Sequence, residues 1–200
     1  MIYSIYLSKI VKVFKLSIYI ITGQIGSGKT EAMKIFSEKS YSCFCADKIV
    51  RKLYKNQDII KNVGNIYPGA IVNNSIDLDI LREKIFNDKR IMELIENYIQ
   101  PLVFLEFEKI IKLNKKKLVF AIPIIKKNIF FKKYKILYIN SKYEIRKKRI
   151  SKRNNYGNKM IENIIKYQNS IDSYKKDNYC VIENNGTLND LKDKIYKIID

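Results

Sequence analysis

Residues 20–30 read IITGQIGSGKT, and three of the chain's seven glycines, Gly23, Gly26 and Gly28, fall within six positions there. Glycine carries the largest backbone entropy loss on folding, so such a cluster marks a main chain pressed against something or held in unusual dihedrals. The order Gly-x-x-x-x-Gly-Lys-Thr suits phosphate chemistry. Backbone N–H groups of Gly26 to Lys29 would surround a β-phosphate at a helix N-terminus. Lys29 would reach the β- and γ-phosphates, and the Thr30 hydroxyl would ligate Mg²⁺. The expected nucleotide-binding set is Gly23, Gly26, Ser27, Gly28, Lys29, Thr30 and Glu31, with ATP and Mg²⁺ as its ligands and Thr30 on the metal. A merely structural glycine turn is the competing reading, and at these frequencies of Gly, Lys and Ser/Thr the full pattern seldom arises by chance.

Asp47 is the next residue that could do chemistry. It follows the second apolar run, at the carboxyl end of an expected strand, where open α/β sheets bind their ligands. A carboxylate there can take a proton from an attacking hydroxyl, or orient it beside Mg²⁺. Asp also suits the N-cap of a helix over KIVRKLY, and position alone leaves the two readings even. The arginines add a third signal. There are six, against 33 lysines, and Arg146, Arg149 and Arg153 fall within eight residues. Helical spacing puts Arg149 and Arg153 on one face. Where lysine is so abundant, this cluster suggests a need for planar, forked donors. Such a helix can close over a transferring phosphoryl group and neutralise its charge. A solvated basic face is the alternative.

The elements that must position these residues follow from hydrophobic period. Apolar runs at 17–22, 41–46, 118–122, 135–140 and 178–184 read as buried strands, the third stopped by Pro123. The segments between are mostly helical in period, which implies βαβ crossovers and a parallel sheet. From about 58 to 114 no strand is convincing. Successive helices are expected there, with Pro101 marking a boundary near the start of one. The resulting fold class is α/β, the P-loop NTPase fold, with a five-stranded parallel sheet flanked by helices. The core would span 17–57 and 115–200, with a helical lid over about 142–175. Residues 58–114 would form a helical substrate-binding insertion, and 1–16 an N-terminal extension.

Composition bounds the partners. With 46% hydrophobic and 30% charged residues over 200 positions, a globular domain is expected. A net charge of +19 points toward nucleic acid. Yet the excess is almost all Lys, in a chain heavy in Ile, Asn and Tyr with no His or Trp, as codon drift in an AT-rich genome produces. No aromatic-interleaved basic strand stands out, so a phosphate-rich ligand is expected rather than a dedicated nucleic-acid partner. Cys43 and Cys45 are poorly spaced for zinc and no His completes a site with them or Cys180, so reduced thiols and a cytoplasmic setting are expected. Lys9, Lys12 and Lys15 break the apolar run of the opening segment. No membrane span is expected, and residues 1–16 read as an amphipathic helix packed on the domain.

Over essentially residues 18–199 the chain resembles dephospho-coenzyme A kinase. The family's T-G-G-I-G-S-G-K-[ST] has its counterpart in TGQIGSGKT, and its D-A-D in CAD, which keeps the second acid as Asp47. IDLDILREKIF is similar to its L-D-R…L-R-x-x-V-F helix entry, QPL to its H-P-L, and IPII to its V-P-L-L. EIRKKRISKRN stands for its arginine-bearing lid and VIENNG for its V-I-x-N-x-G. The resemblance implies ATP-dependent phosphorylation of the ribose 3′-hydroxyl of dephospho-coenzyme A. It makes Asp47 the base or orienting group, Arg149 a lid contact of the ATP phosphates, and the inserted helices the coenzyme A domain. The chain departs from the family at Cys45, Leu78, Gln100, Lys127 and Ile171, where an Asp, an Arg, a His, a Glu and an Arg are usual. Two other readings stay open: another small-molecule P-loop kinase, and a nucleotide- or RNA-binding protein without catalysis.

Overall fold

A computed structural model describes residues 17–114, 117–123, 133–152, 158–171 and 179–200. The expected N-terminal helix, Lys127, Arg153, the last two isoleucines of IPII and the side chain of Ile171 lie outside the described residues.

Strand β1 (Ile18–Thr22) is buried at all five positions. An apolar run without alternation is what a strand covered on both faces requires. It is the middle strand of a five-stranded sheet with β2 (Ser42–Cys45), β5 (Leu118–Ala121), β6 (Lys135–Asn140) and β7 (Cys180–Glu183), in the order β2-β5-β1-β6-β7. Every pairing in it is parallel, and Ile21 lies beside both Ala121 and Leu137. All five expected strands are therefore present, a residue or two shorter at some ends. One correction concerns β2, which was expected to be buried. It is a half-buried edge strand, because only β5 pairs with it.

The period of two sends side chains to separate cores. One face (Ile18, Ile20, Leu118, Phe120) packs on Val103, Phe107 and Ile111 of helix α5 (Lys89–Leu113). The other (Tyr19, Ile21, Val119, Leu137, Ile139) packs on α1 (Lys29–Glu38) through Ala32, Ile35 and Phe36. Leu191 and Ile195 of α8 (Leu188–Ile199) complete that second core. Helices thus cover both faces and leave the carboxyl ends of the strands as an open edge.

Between β2 and β5 the chain forms α2 (Ala46–Leu53), α3 (Gln57–Ile66), α4 (Leu78–Asn87) and α5. Two expectations for this stretch fail. It is not wholly helical, since β3 (Ile71–Val72) and β4 (Ser75–Ile76) form an antiparallel hairpin. Its two-residue turn has Asn73 at φ 49° and Asn74 at φ 57°, the left-handed pair that this tight hairpin requires and that Asn tolerates. Nor does Pro101 mark a helix boundary, because it lies inside the 25-residue α5. An interior proline costs ~3 kcal/mol, but Met92, Ile95, Ile99, Val103, Phe107 and Ile111 are buried along one stripe on both sides of it. At roughly 1.5–3 kcal/mol per buried apolar side chain, the stripe outweighs the break.

After β6 come α6 (Tyr143–Ser151) and α7 (Asn158–Ile171). Among the described residues no helix is long and apolar enough to cross a membrane. The three cysteines are free thiols, and burial pushes the Cys43 thiol up to about 11.

Candidate active site

The glycine loop joins β1 to α1 at the open edge of the sheet. Gly23, Gly26 and Gly28 have φ of 141°, 76° and 108°, a region where side chains are strained. Packing excludes side chains there as well. A Cβ on Gly23 would strike the Ile139 carbonyl, and one on Gly28 the Asn184 amide. One on Gly26 would sit 2.8 Å from the Arg146 carbonyl oxygen. The cluster in the sequence is thus explained twice over, by dihedral angle and by close approach of β6, α6 and the end of β7.

Lys29 opens α1 and folds back on the loop, its Nζ donating to the Gly23 and Gln24 carbonyls at 2.6 and 3.1 Å. The Ser27 N–H donates to the Gln24 carbonyl at 3.1 Å. Ser27 is buried, and its Oγ has no hydrogen-bond partner among the described residues. Thr30 is exposed in the first turn of α1 and Glu31 is turned to Lys34 at 3.1 Å. Pro123 ties β5 to the loop, its carbonyl accepting from the Gly23 N–H and Thr22 Oγ1, both at 3.1 Å.

Arg149 lies behind the loop. Its Nη1 donates to Ser141 Oγ at 3.1 Å and reaches the Gly26 and Ser27 carbonyls at 3.4 Å. Its Nη2 donates to the Asn184 carbonyl at 3.2 Å. Arg146 is buried, and its carbonyl is the one that faces Gly26. Helix α7 touches the loop at Ile25. Gln168 Oε1 accepts the Ile25 N–H at 2.7 Å, and Ile25 packs on Ile150, Ile161 and Ile165.

Asp47 stands apart from this cluster, on the same edge. Helix α2 begins at Ala46 with Cys45 as its cap residue, so Asp47 is in the first turn and does not cap the helix. It is exposed. Strand β2 is two places from β1, so Asp47 is displaced from the loop by roughly 10 Å of sheet. Of the departures from the family pattern, Cys45 caps α2, Leu78 opens α4 behind an Asp77 cap, and Gln100 is half-buried on α5.

The structure thus brings Gly23, Gly26, Ser27, Gly28, Lys29 and Arg149 together and places Asp47 across the edge. It also engages Ser141, Asn184, Pro123 and Gln168, for which no role was expected. Asn184 and Pro123 lie in the VIENNG and IPII segments, which were a pointer to them. Ser141 and Gln168 are lone polar residues that no pattern marks. Among the described residues no group of three His, Cys, Asp or Glu could hold a metal.

A parallel sheet in this order, with a phosphate loop on its central strand and helices reaching over the loop, is the architecture of a P-loop kinase. The comparisons with known proteins narrow the class. A family model described as dephospho-CoA kinase matches residues 17–190, and the chain belongs to that family. It is 32% identical over 185 residues to the dephospho-CoA kinase of Fusobacterium nucleatum, covering 90% of this chain and 95% of the relative. Two solved structures agree with the fold, each at 22% identity. A Thermus thermophilus protein has a TM-score of 0.70 over 92% of this chain and 96% of its own. A dephospho-CoA kinase from Campylobacter jejuni has a TM-score of 0.60 over 91% and 94%.

Proposed function

We propose that this chain transfers the γ-phosphoryl group of ATP to the ribose 3′-hydroxyl of dephospho-coenzyme A, the last step of coenzyme A synthesis, with Asp47 receiving or orienting the hydroxyl proton. Membership of the dephospho-CoA kinase family over residues 17–190 carries the reaction. What supports Asp47 is that an exposed carboxylate, not used as a cap, shares the open sheet edge with the phosphate loop.

In this reading the amides of Gly26 to Lys29 and the N-terminus of α1 hold the β-phosphate. Lys29 exchanges the Gly23 and Gln24 carbonyls for phosphate oxygens. Arg149 keeps a fixed positive charge against the back of the loop, where it offsets charge gathering on the phosphates. Thr30 would ligate Mg²⁺, and the metal when bound would neutralise the β- and γ-oxygens. The helices of 58–114 hold the coenzyme A portion of the acceptor, and the segment over about 142–175 is the lid. Three free thiols support a reducing, cytoplasmic setting.

The test is ADP release by the purified protein with Mg²⁺-ATP, with and without dephospho-coenzyme A, beside Asp47→Asn. Stimulation by the acceptor that is lost in the variant, while ATP still binds, is expected. Turnover of Asp47→Asn near that of the unaltered protein would remove Asp47 from the mechanism. No stimulation by the acceptor would overturn the substrate.

A further inference from the structure

Asn184 follows β7 directly, and its side chain does not point at solvent. The residue is 5% exposed and its Nδ2 donates to the Ser27 carbonyl of the phosphate loop at 2.7 Å. Its own backbone is fixed on both sides. The Asn184 N–H donates to the Asn140 carbonyl at 2.8 Å. The Asn184 carbonyl accepts Ser141 Oγ at 2.5 Å and Arg149 Nη2 at 3.2 Å. Ser141 and Arg149 also approach the Ser27 carbonyl, at 3.3 and 3.4 Å, but the short bond on it is from Asn184.

The peptide joining Ser27 to Gly28 is trans, like every peptide bond described. In a trans peptide the C=O and N–H point in opposite directions. Pinning the Ser27 carbonyl toward Asn184 therefore aims the Gly28 N–H the other way, toward the hollow of the loop. Gly28 at φ 108° is the residue least able to hold that orientation alone, since glycine accepts either peptide orientation with little penalty. The same contact leaves no space for a Cβ on Gly28, which would strike Asn184 Nδ2.

We infer that Asn184 is a positioning residue of the phosphate loop, which presets the Ser27–Gly28 peptide so that its N–H is presented to the nucleotide's β-phosphate. Asn184 acts through the loop and does not touch the phosphate. Its effect is preorganisation: the donor is aimed before nucleotide arrives, and no peptide has to turn on binding. The inference rests on the nucleotide half of the proposed function and is independent of which acceptor is used.

Calorimetric titration with ADP and with adenosine tests it without an acceptor. In Asn184→Ala, ADP affinity falls about tenfold, the scale of one hydrogen bond to a charged group, while adenosine affinity is unchanged. In turnover, KM for ATP rises and KM for dephospho-coenzyme A does not. Equal losses for ADP and adenosine would mean that Asn184 serves the base, and ADP affinity within twofold of the unaltered protein would mean that it serves nothing here. Should the variant not fold, ¹⁵N-glycine labelling of the unaltered protein gives only seven amides to follow. The Gly28 amide is expected to shift strongly with ADP and not with adenosine. A Gly28 amide indifferent to ADP would overturn the inference. A protein that passes these tests yet ignores dephospho-coenzyme A would refute the acceptor alone.

Discussion

Lys29 Nζ lies 2.6 Å from the carbonyl oxygen of Gly23, so the cation of the phosphate loop is bonded to the first residue of its own loop. A second bond to the Gln24 carbonyl, at 3.1 Å, fixes its direction. The ammonium is thus held over the loop before nucleotide binds, on a stem long enough to swing to phosphate oxygens. Lys29→Met keeps the stem and removes the charge. Turnover is expected to fall about 10²–10³-fold, the effect of losing one donor aimed at developing charge, with little change in the thermal midpoint. Steady-state ADP release and a melting curve decide it. Turnover within a few-fold of the unaltered protein would take Lys29 out of the reaction.

Gly26 and Gly64 offer a contrast between two glycines in unlike settings. Gly26 sits at φ 76°, where a Cβ costs ~1–2 kcal/mol, and that Cβ would also press on the Arg146 carbonyl and Ile150 side chain of α6. Gly64 is inside α3, where a Cβ would meet only the Ile71 side chain, with Cγ1 at 3.2 Å and Cδ1 at 3.7 Å. Gly26→Ala should destabilise the protein by more than the dihedral term alone and abolish ADP binding. Gly64→Ala should change stability by no more than about 1 kcal/mol in either direction, with its helical gain set against one tight contact on Ile71. Urea unfolding of the two variants gives the comparison.

What the sequence disclosed depended on whether a physical demand leaves a repeating or rare pattern. Parallel strands buried on two faces leave unbroken apolar runs such as IYIIT, and the sheet was legible for that reason. The phosphate loop was legible because three glycines and a lysine at fixed spacing are rare. The β3–β4 hairpin has two residues per strand, too few to show a period. Pro101 misled because a local rule about one residue was set against a buried stripe that runs the length of α5. Position alone left Asp47 even between two readings, and the structure bears only on the capping one, because α2 begins at Ala46 with Cys45 in the cap position. Ser141 and Gln168 reach the loop through single hydrogen bonds, and an isolated polar residue carries no spacing to read.

Asp190 links the end of the chain to pH. Its carboxylate accepts the Thr187 N–H at 2.7 Å and the Thr187 hydroxyl at 2.8 Å, closing a capping box on α8. These hydrogen bonds, first the backbone one, hold its pKa below the ordinary carboxylate value. A depressed carboxylate pKa contributes stability that is present above the unfolded-state value and is lost as pH falls through the folded-state value. Asp190→Asn should therefore lower the thermal midpoint at neutral pH, and the gap should shrink as the buffer is taken below the carboxylate range. Parallel melting curves across that range test the sign. A gap that widens in acid would be the wrong one.

Helix α7 bonds to the phosphate loop and to the inserted helices at once. Gln168 Oε1 takes the Ile25 N–H at 2.7 Å. The neighbouring Tyr167 donates to Glu96 of α5 at 3.0 Å, and Asn163 lies 3.3 Å from Asn87 of α4. The two ends of that bridge should separate kinetically. Gln168→Leu leaves the Ile25 amide without its acceptor, at a cost of about 1 kcal/mol or somewhat more. The loop then loses a fixed point, and KM for ATP should rise several-fold. Tyr167→Phe removes only the hydroxyl that reaches α5, so KM for dephospho-coenzyme A should rise while KM for ATP stays put. If α7 transmits strain between the two regions, the double variant departs from additivity by more than about 0.5 kcal/mol. Strict additivity, with each KM moved only by its own substitution, would make α7 two separate fasteners on one helix.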